Sequence, residues 1–110
     1  MGFTRYYKNP KGFTTEQWNS LMVAANQILK SNSVPISEEY DLEDSPPLVE
    51  NNLIKFNGVG EDGHETFLLM KAKRDFAFCK TARKPYDDVV KAVLKAASDI
   101  NPNFIVTSDE

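Results

Sequence analysis

The amino-acid sequence predicts an α+β domain, a two-layer sandwich in which a mainly antiparallel sheet of four to five strands carries two helices on one face. Three observations carry that expectation. Two stretches repeat apolar residues at helical spacing. Several short apolar runs lie beside them, bounded by Gly, Pro, Asn and Asp. The order is strand, helix, loop, three strands, helix, strand, with short connections in the run of strands, which reads as an antiparallel meander.

Residues 3–7 are aromatic-rich and read as a short edge strand, and Asn9-Pro10-Lys11-Gly12 as a turn. Thr14 announces the first helix as a cap, with Gln17 three residues on and Phe13 and Trp18 spaced for a hydrophobic staple. Trp18, Leu21, Met22, Ala25, Ile28 and Leu29 then form one apolar stripe, a core face rather than an aromatic cofactor box. Ser31-Asn32-Ser33 ends the helix, and 34–36 is a brief extended piece. Residues 37–52 read as a long, flexible acidic surface loop. Pro46-Pro47 disfavours helix and ladder alike, and the apolar residues Tyr40, Leu42, Leu48 and Val49 are scattered.

Residues 53–56 begin the run of strands. Asn57 to Gly63 is turn-rich, with Asp62-Gly63 as a hairpin signal, and 65–70 returns as the partner strand. Residues 71–75 connect to a third strand at 76–82, in which Phe76 and Phe78 share one face and Ala77 and Cys79 the other. Pro85 suits the first position of the second helix, and Asp87 and Asp88 its first turn, where the helix dipole favours acids. Tyr86, Val89, Val90, Val93, Leu94 and Ala97 make its apolar stripe, and Lys91 stands four residues after Asp87, the spacing of an ion pair. Asn101-Pro102-Asn103 breaks the helix before a closing strand at 104–107. One sheet face is then left for a homodimer, another partner or the acidic loop to cover.

The 110 residues are read as a single domain, 1–110, with one core. A net charge of -3 is too small for a nucleic-acid binder or a disordered acidic tail, and no ribonucleoprotein aromatic motif stands on any strand. The distribution is uneven. Between Glu38 and Glu50 there are six acids and no base, and between Lys71 and Lys84 six bases and one acid, Asp75. That contrast fits two solvated faces, or a basic site shielded by an acidic loop. Cys79 is the only cysteine, which excludes an intrachain disulfide and fits a reducing cytosol. Inside an apolar run it reads as a small buried hydrophobe, although His64, the only histidine, is the base a nucleophile would need. No segment reaches the length of a membrane span, and Arg5, Tyr6, Tyr7 and Lys8 stand where a signal peptide would need apolar residues. A soluble cytoplasmic protein is therefore expected.

The run 57–63 lacks the Lys-Ser/Thr ending of a phosphate loop and is followed by a strand, so it reads as a hairpin turn. Glu61, Asp62, His64 and Glu65 lack the spacing of a zinc site, so no metal and no cofactor are expected. The basic junction between the third strand and second helix is the strongest ligand candidate. Lys80, Arg83 and Lys84 supply charge, Thr81 a hydroxyl, Tyr86 an aromatic edge, and a helix N-terminus favours anions.

Phe56-Asn57-Gly58-Val59-Gly60, His64-Glu65-Thr66-Phe67 and the run Phe78 to Asp87 resemble a family of small uncharacterised proteins of bacteria and their phages. The resemblance covers about the last half of the chain. It implies a bacterial or phage setting and adds His64 and Glu65, with Lys80, Thr81, Arg83, Tyr86 and Asp87, to the candidate site.

Three readings follow. The first is a phage or prophage accessory binding protein that captures an anionic, nucleotide-like small molecule or blocks a host protein, as in counter-defence. The second is a small enzyme acting on a nucleotide or phosphate ester, with His64 and Glu65 as acid and base. The third is an oligomeric interaction module without a ligand.

Overall fold

The computed structural model describes residues 2–39, 41–42 and 44–109; Tyr40, which the sequence counts among the loop's apolar residues, and Glu43, one of its acids, lie outside them. The protein has an α+β fold, with two helices and two antiparallel sheets. The helices are α1, Thr15–Ser31, and α2, Asp87–Ile100. The strands are β1 (Thr4–Asn9), β2 (Ile36–Ser37), β3 (Leu48–Val49), β4 (Leu53–Gly58), β5 (Phe67–Met70), β6 (Arg74–Lys80) and β7 (Ile105–Ser108).

Local chemistry sets α1 as the sequence predicts. The Thr14 hydroxyl accepts from the Gln17 amide at 3.0 Å, and the Gln17 side chain accepts from the Thr14 amide at 2.8 Å, a complete capping box. Phe13 meets Trp18 edge-on, with ring centroids 5.3 Å apart. Trp18, Leu21 and Ala25 are buried, and Met22, Ile28 and Leu29 pack against the same core. The second helix starts later than predicted. Its cap is Tyr86, so Pro85 precedes the helix instead of opening it. The spacing-based pair between Asp87 and Lys91 is replaced by a distant partner for Asp87, Arg5.

The sequence predicts one sheet with a meander; the strands divide between two sheets. β1, expected at an edge, is the centre of a three-stranded sheet, with β6 on one side and β7 on the other. In the second sheet β4 pairs β2, β3 and β5. β6 therefore leaves β5 and joins β1 across a separation of some 70 residues, pairing Tyr7 with Ala77 and Arg5 with Cys79. The two sheets are tied by the Tyr7 hydroxyl, which donates to the Leu68 carbonyl at 2.6 Å. Phe56, Phe67 and Leu69 from one sheet and Tyr7 and Cys79 from the other share a core with Val90, Val93 and Leu94 of α2.

The acidic stretch 37–52 holds more structure than a plain loop. Ser37 closes β2, and Leu48 and Val49 form β3 directly after the prolines, which need donate nothing to that ladder. The Trp18 indole donates to the Glu50 carbonyl at 2.8 Å and holds its end to α1. Among the described residues no helix is long and apolar enough to cross a membrane.

Candidate functional site

The β4–β5 connection is a longer turn than the predicted Asp62-Gly63 hairpin. β4 runs to Gly58, a single 3-10 turn occupies Gly60–Asp62, and β5 begins only at Phe67. His64 and Glu65 thus belong to the loop. Asn57, fully buried, organises that loop from inside. Its amide nitrogen donates to the His64 carbonyl at 2.9 Å and the Thr66 hydroxyl at 3.1 Å, and its oxygen accepts from the amides of Gly58 and His64 at 2.8 and 3.1 Å. The loop closes so tightly that a Cβ on Gly58 would strike the Asp62 carbonyl oxygen, and one on Gly63 the Gly58 carbonyl oxygen.

This loop docks on the end of β6. The Glu65 amide donates to the Lys80 carbonyl at 3.2 Å, and the Lys80 amide donates to Glu65 Oε1 at 2.7 Å. The Tyr86 hydroxyl donates to the Glu65 carbonyl at 2.6 Å. Buried Cys79 faces the same carbonyl at 3.4 Å, with the Tyr86 hydroxyl 3.9 Å from its sulfur. Burial pushes the Cys79 thiol up to about 12 and, more strongly, raises the Tyr86 phenol, so both stay protonated at neutral pH. Cys79 is a packed thiol, and exposed His64 is not among its contacts.

The chain between β6 and α2 is strained. Ala82 and Arg83 both lie in the left-handed region, with φ of 53° and 56°. Two consecutive residues with side chains there cost on the order of 1–2 kcal/mol each. The surroundings over-determine the turn. The Thr81 and Ala82 amides both donate to the Phe3 carbonyl, at 3.0 and 3.1 Å, and the Lys84 amide donates to the Thr81 carbonyl at 3.0 Å. The Arg83 guanidinium stacks 4.0 Å from the centre of the Phe3 ring, with Arg5 5.0 Å from the same centre.

Beneath the turn sits an ion pair that the sequence did not reveal. Arg5 Nε and Nη2 donate to the two oxygens of Asp87 at 2.8 Å each, and the Thr81 hydroxyl donates to Asp87 Oδ1 at 2.6 Å. Burial pushes the Asp87 carboxyl up. The hydrogen bonds from Arg5 and Thr81, with the charges of Arg5 and Arg83, outweigh it and hold the group below its ordinary value. The first residue of α2 thus brings its own carboxylate to the helix N-terminus.

The predicted site residues are therefore only partly brought together. Thr81 and Tyr86 are fully buried and their hydroxyls are used inside the fold, so neither offers a ligand the donor or edge expected of it. The three cations diverge. Lys80 reaches toward Gly2, Arg83 lies on Phe3, and Lys84 alone faces the cleft. Glu38 and Glu39 of the acidic stretch turn instead to Lys55 of β4, at 3.2 Å each. What remains is a cleft of about 620 Å³ lined by Gly60, Glu61, Gly63, His64, Glu65 and Lys84. One ammonium group, one imidazole and two carboxylates face it. Among the described residues no three His, Cys, Asp or Glu side chains gather to hold a metal.

Sequence reasoning missed Asn57 and Arg5 as organisers of this site, and named Asp87 as a candidate without its partner. Asn57 stands in the turn-rich run as its one amide side chain, which is a signal of sorts; the Arg5–Asp87 pairing has none, since 82 positions separate its members. No family model, curated protein or solved structure matches this chain.

Proposed function

We propose that this is a small binding protein that takes an anionic, nucleotide-like molecule in the cleft between the glycine turn and the β6–α2 junction. The observation that carries this reading is the strained pair Ala82-Arg83, locked by Phe3, which leads directly into Lys84 on the cleft wall. Non-glycine residues held at positive φ cluster at ligand sites, where surrounding structure fixes an otherwise unfavourable turn. A volume near 620 Å³ lies in the range of small-molecule pockets. Its mixed polarity suits a nucleotide, whose phosphate meets Lys84 and whose base N–H groups meet Glu61 and Glu65. A bacterial or phage setting is what the resemblance in the sequence implies, and a counter-defence role is part of this proposal.

Titration calorimetry of the full chain with a panel of mono-, di- and cyclic nucleotides tests the proposal. Binding of at least one, weakened about tenfold by Lys84→Ala, is expected. If none binds at about 1 mM, or Lys84→Ala binds as tightly as the wild type, the proposal is wrong.

His64 and Glu65 on one wall favour a second reading, an enzyme acting on a phosphate ester. Phosphate released from nucleotides by the wild type and not by His64→Ala would support it. No release from any of them would end it.

A further inference from the structure

The outer face of the β6–β1–β7 sheet carries an open apolar patch. Phe76, Phe78 and Ile105 are 54%, 52% and 50% exposed, the largest apolar side chains so placed among the described residues together with Val23 and Leu42. Phe76 lies 5.8 Å from Phe78 and 6.2 Å from Tyr6, ring centre to ring centre, so the three aromatics make one continuous surface. A patch of this kind marks an interaction site.

The strand register arranges this face in rows. Thr4 lies opposite Lys80 on one side, and on the other it exchanges bonds with Asp109, whose amide donates to the Thr4 carbonyl at 3.2 Å and whose Oδ2 accepts from the Thr4 amide at 3.0 Å. Tyr6 lies between Phe78 and Thr107. Lys8 lies opposite Ile105, and Phe76 stands beyond Phe78 on β6. Read along the flanks, β6 presents Lys80, Phe78 and Phe76 where β7 and the residue after it present Asp109, Thr107 and Ile105, both in the reverse order of the chain.

We propose that this face binds a second copy of the chain, about a two-fold axis parallel to β1. Such an axis lays β6 of one copy on β7 of the other without reversing their ends. Lys80 then faces Asp109 of the second copy, Phe78 faces Thr107, and Phe76 faces Ile105, each twice. Tyr6 meets Tyr6 at the centre, in the aligned face-to-face packing of two twisted sheets. Among the charged side chains of this face only Lys8 meets its own kind, at the end of the axis, where a long stem carries its charge out to water. An axis across the strands would instead turn Lys80 toward Phe76 and Lys8, leaving Asp109 facing Ile105, so the charges select the first arrangement. They also speak against a nucleic acid on these aromatics: Asp109 accepts from the Tyr6 hydroxyl at 3.0 Å in the middle of the platform, and the chain carries -3.

Sedimentation equilibrium of the full chain, with circular dichroism to confirm that each variant is folded, is the test. A concentration-dependent dimer is expected. Phe78→Asp, or Ile105→Lys from the opposite strand, raises its dissociation constant about thirtyfold or more. Lys80→Asp and Asp109→Lys each weaken it severalfold, and the two together restore it. A chain that stays monomeric at about 1 mM overturns the proposal, as does a monomer that retains single-stranded oligonucleotides. A dimer indifferent to Phe78→Asp and Ile105→Lys overturns it too. If those variants dissociate the dimer and the charge swap fails to restore it, the two-fold arrangement is refuted.

Discussion

The Tyr86 hydroxyl reaches the Glu65 carbonyl at 2.6 Å and so joins the start of α2 to the loop that carries His64. With the two bonds between Glu65 and Lys80, it holds the walls of the cleft together. One wall is the turn leading to Lys84; the other is the loop held from beneath by Asn57.

Tyr86→Phe removes the donor and leaves the ring in place. The Glu65 carbonyl keeps the Cys79 thiol nearby, so the loss is that of an ordinary buried bond, about 1 kcal/mol. Urea denaturation measures it. A change below about 0.3 kcal/mol would show that the hydroxyl adds nothing to the net stability.

Asp87→Asn has a larger effect. Arg5 and Asp87 are buried together, with side chains 8% and 11% exposed, and removing the carboxylate charge takes the Asp87 ion pair from a buried guanidinium. A loss of about 3 kcal/mol is expected, against about 1 kcal/mol for Thr81→Val, which removes one bond to the same carboxylate. Denaturant midpoints of the two variants decide. Equal losses would show that the ion pair contributes no more than a hydrogen bond.

The same carboxyl makes stability depend on pH. Its folded value lies below its ordinary one, so the unfolded chain takes up the proton first as pH falls. The contribution is complete above the ordinary carboxylate value of about 4 and is lost as pH drops through the lower folded value. Wild type therefore loses more stability than Asp87→Asn between about pH 5 and pH 2. Parallel curves for the two proteins, from urea midpoints across that range, would contradict this.

Ala82→Gly acts against the usual rule. Glycine in ordered backbone normally destabilises by about 0.5–1 kcal/mol relative to alanine, but at φ of 53° it removes strain of about 1–2 kcal/mol. The net expectation is a gain of about 0.5 kcal/mol. Ala82→Val is expected to lose more than about 1 kcal/mol, because a β-branched side chain fits the left-handed region poorly. Thermal or urea midpoints read both, and a loss of stability in Ala82→Gly would show that the turn is not strained.

Much of the fold was legible because its signals are local. The capping box of Thr14 and Gln17, the stripe from Trp18 to Leu29, and the alternation of Phe76 and Phe78 with Ala77 and Cys79 each depend on residues a few positions apart. The cleft was half legible. His64, Glu65 and Lys84 do share it, the first two named through the resemblance and Lys84 through the charge beside the helix start. Thr81, Arg83 and Lys80 do not, because successive residues of a left-handed turn point in different directions. Sequence neighbours of like charge then find different partners.

By itself the sequence determined the helices, the inward and outward faces of the strands, and the α+β class, all consequences of short-range periodicity and capping. Only the tertiary structure decided that β1 lies between β6 and β7, that β6 abandons β5, and that Arg5 meets Asp87. The physical reason is that a strand edge offers the same row of N–H and C=O groups to any partner. Which partner it takes is settled by side chains far apart in the chain, when Tyr7, Cys79 and Phe67 are buried in one core.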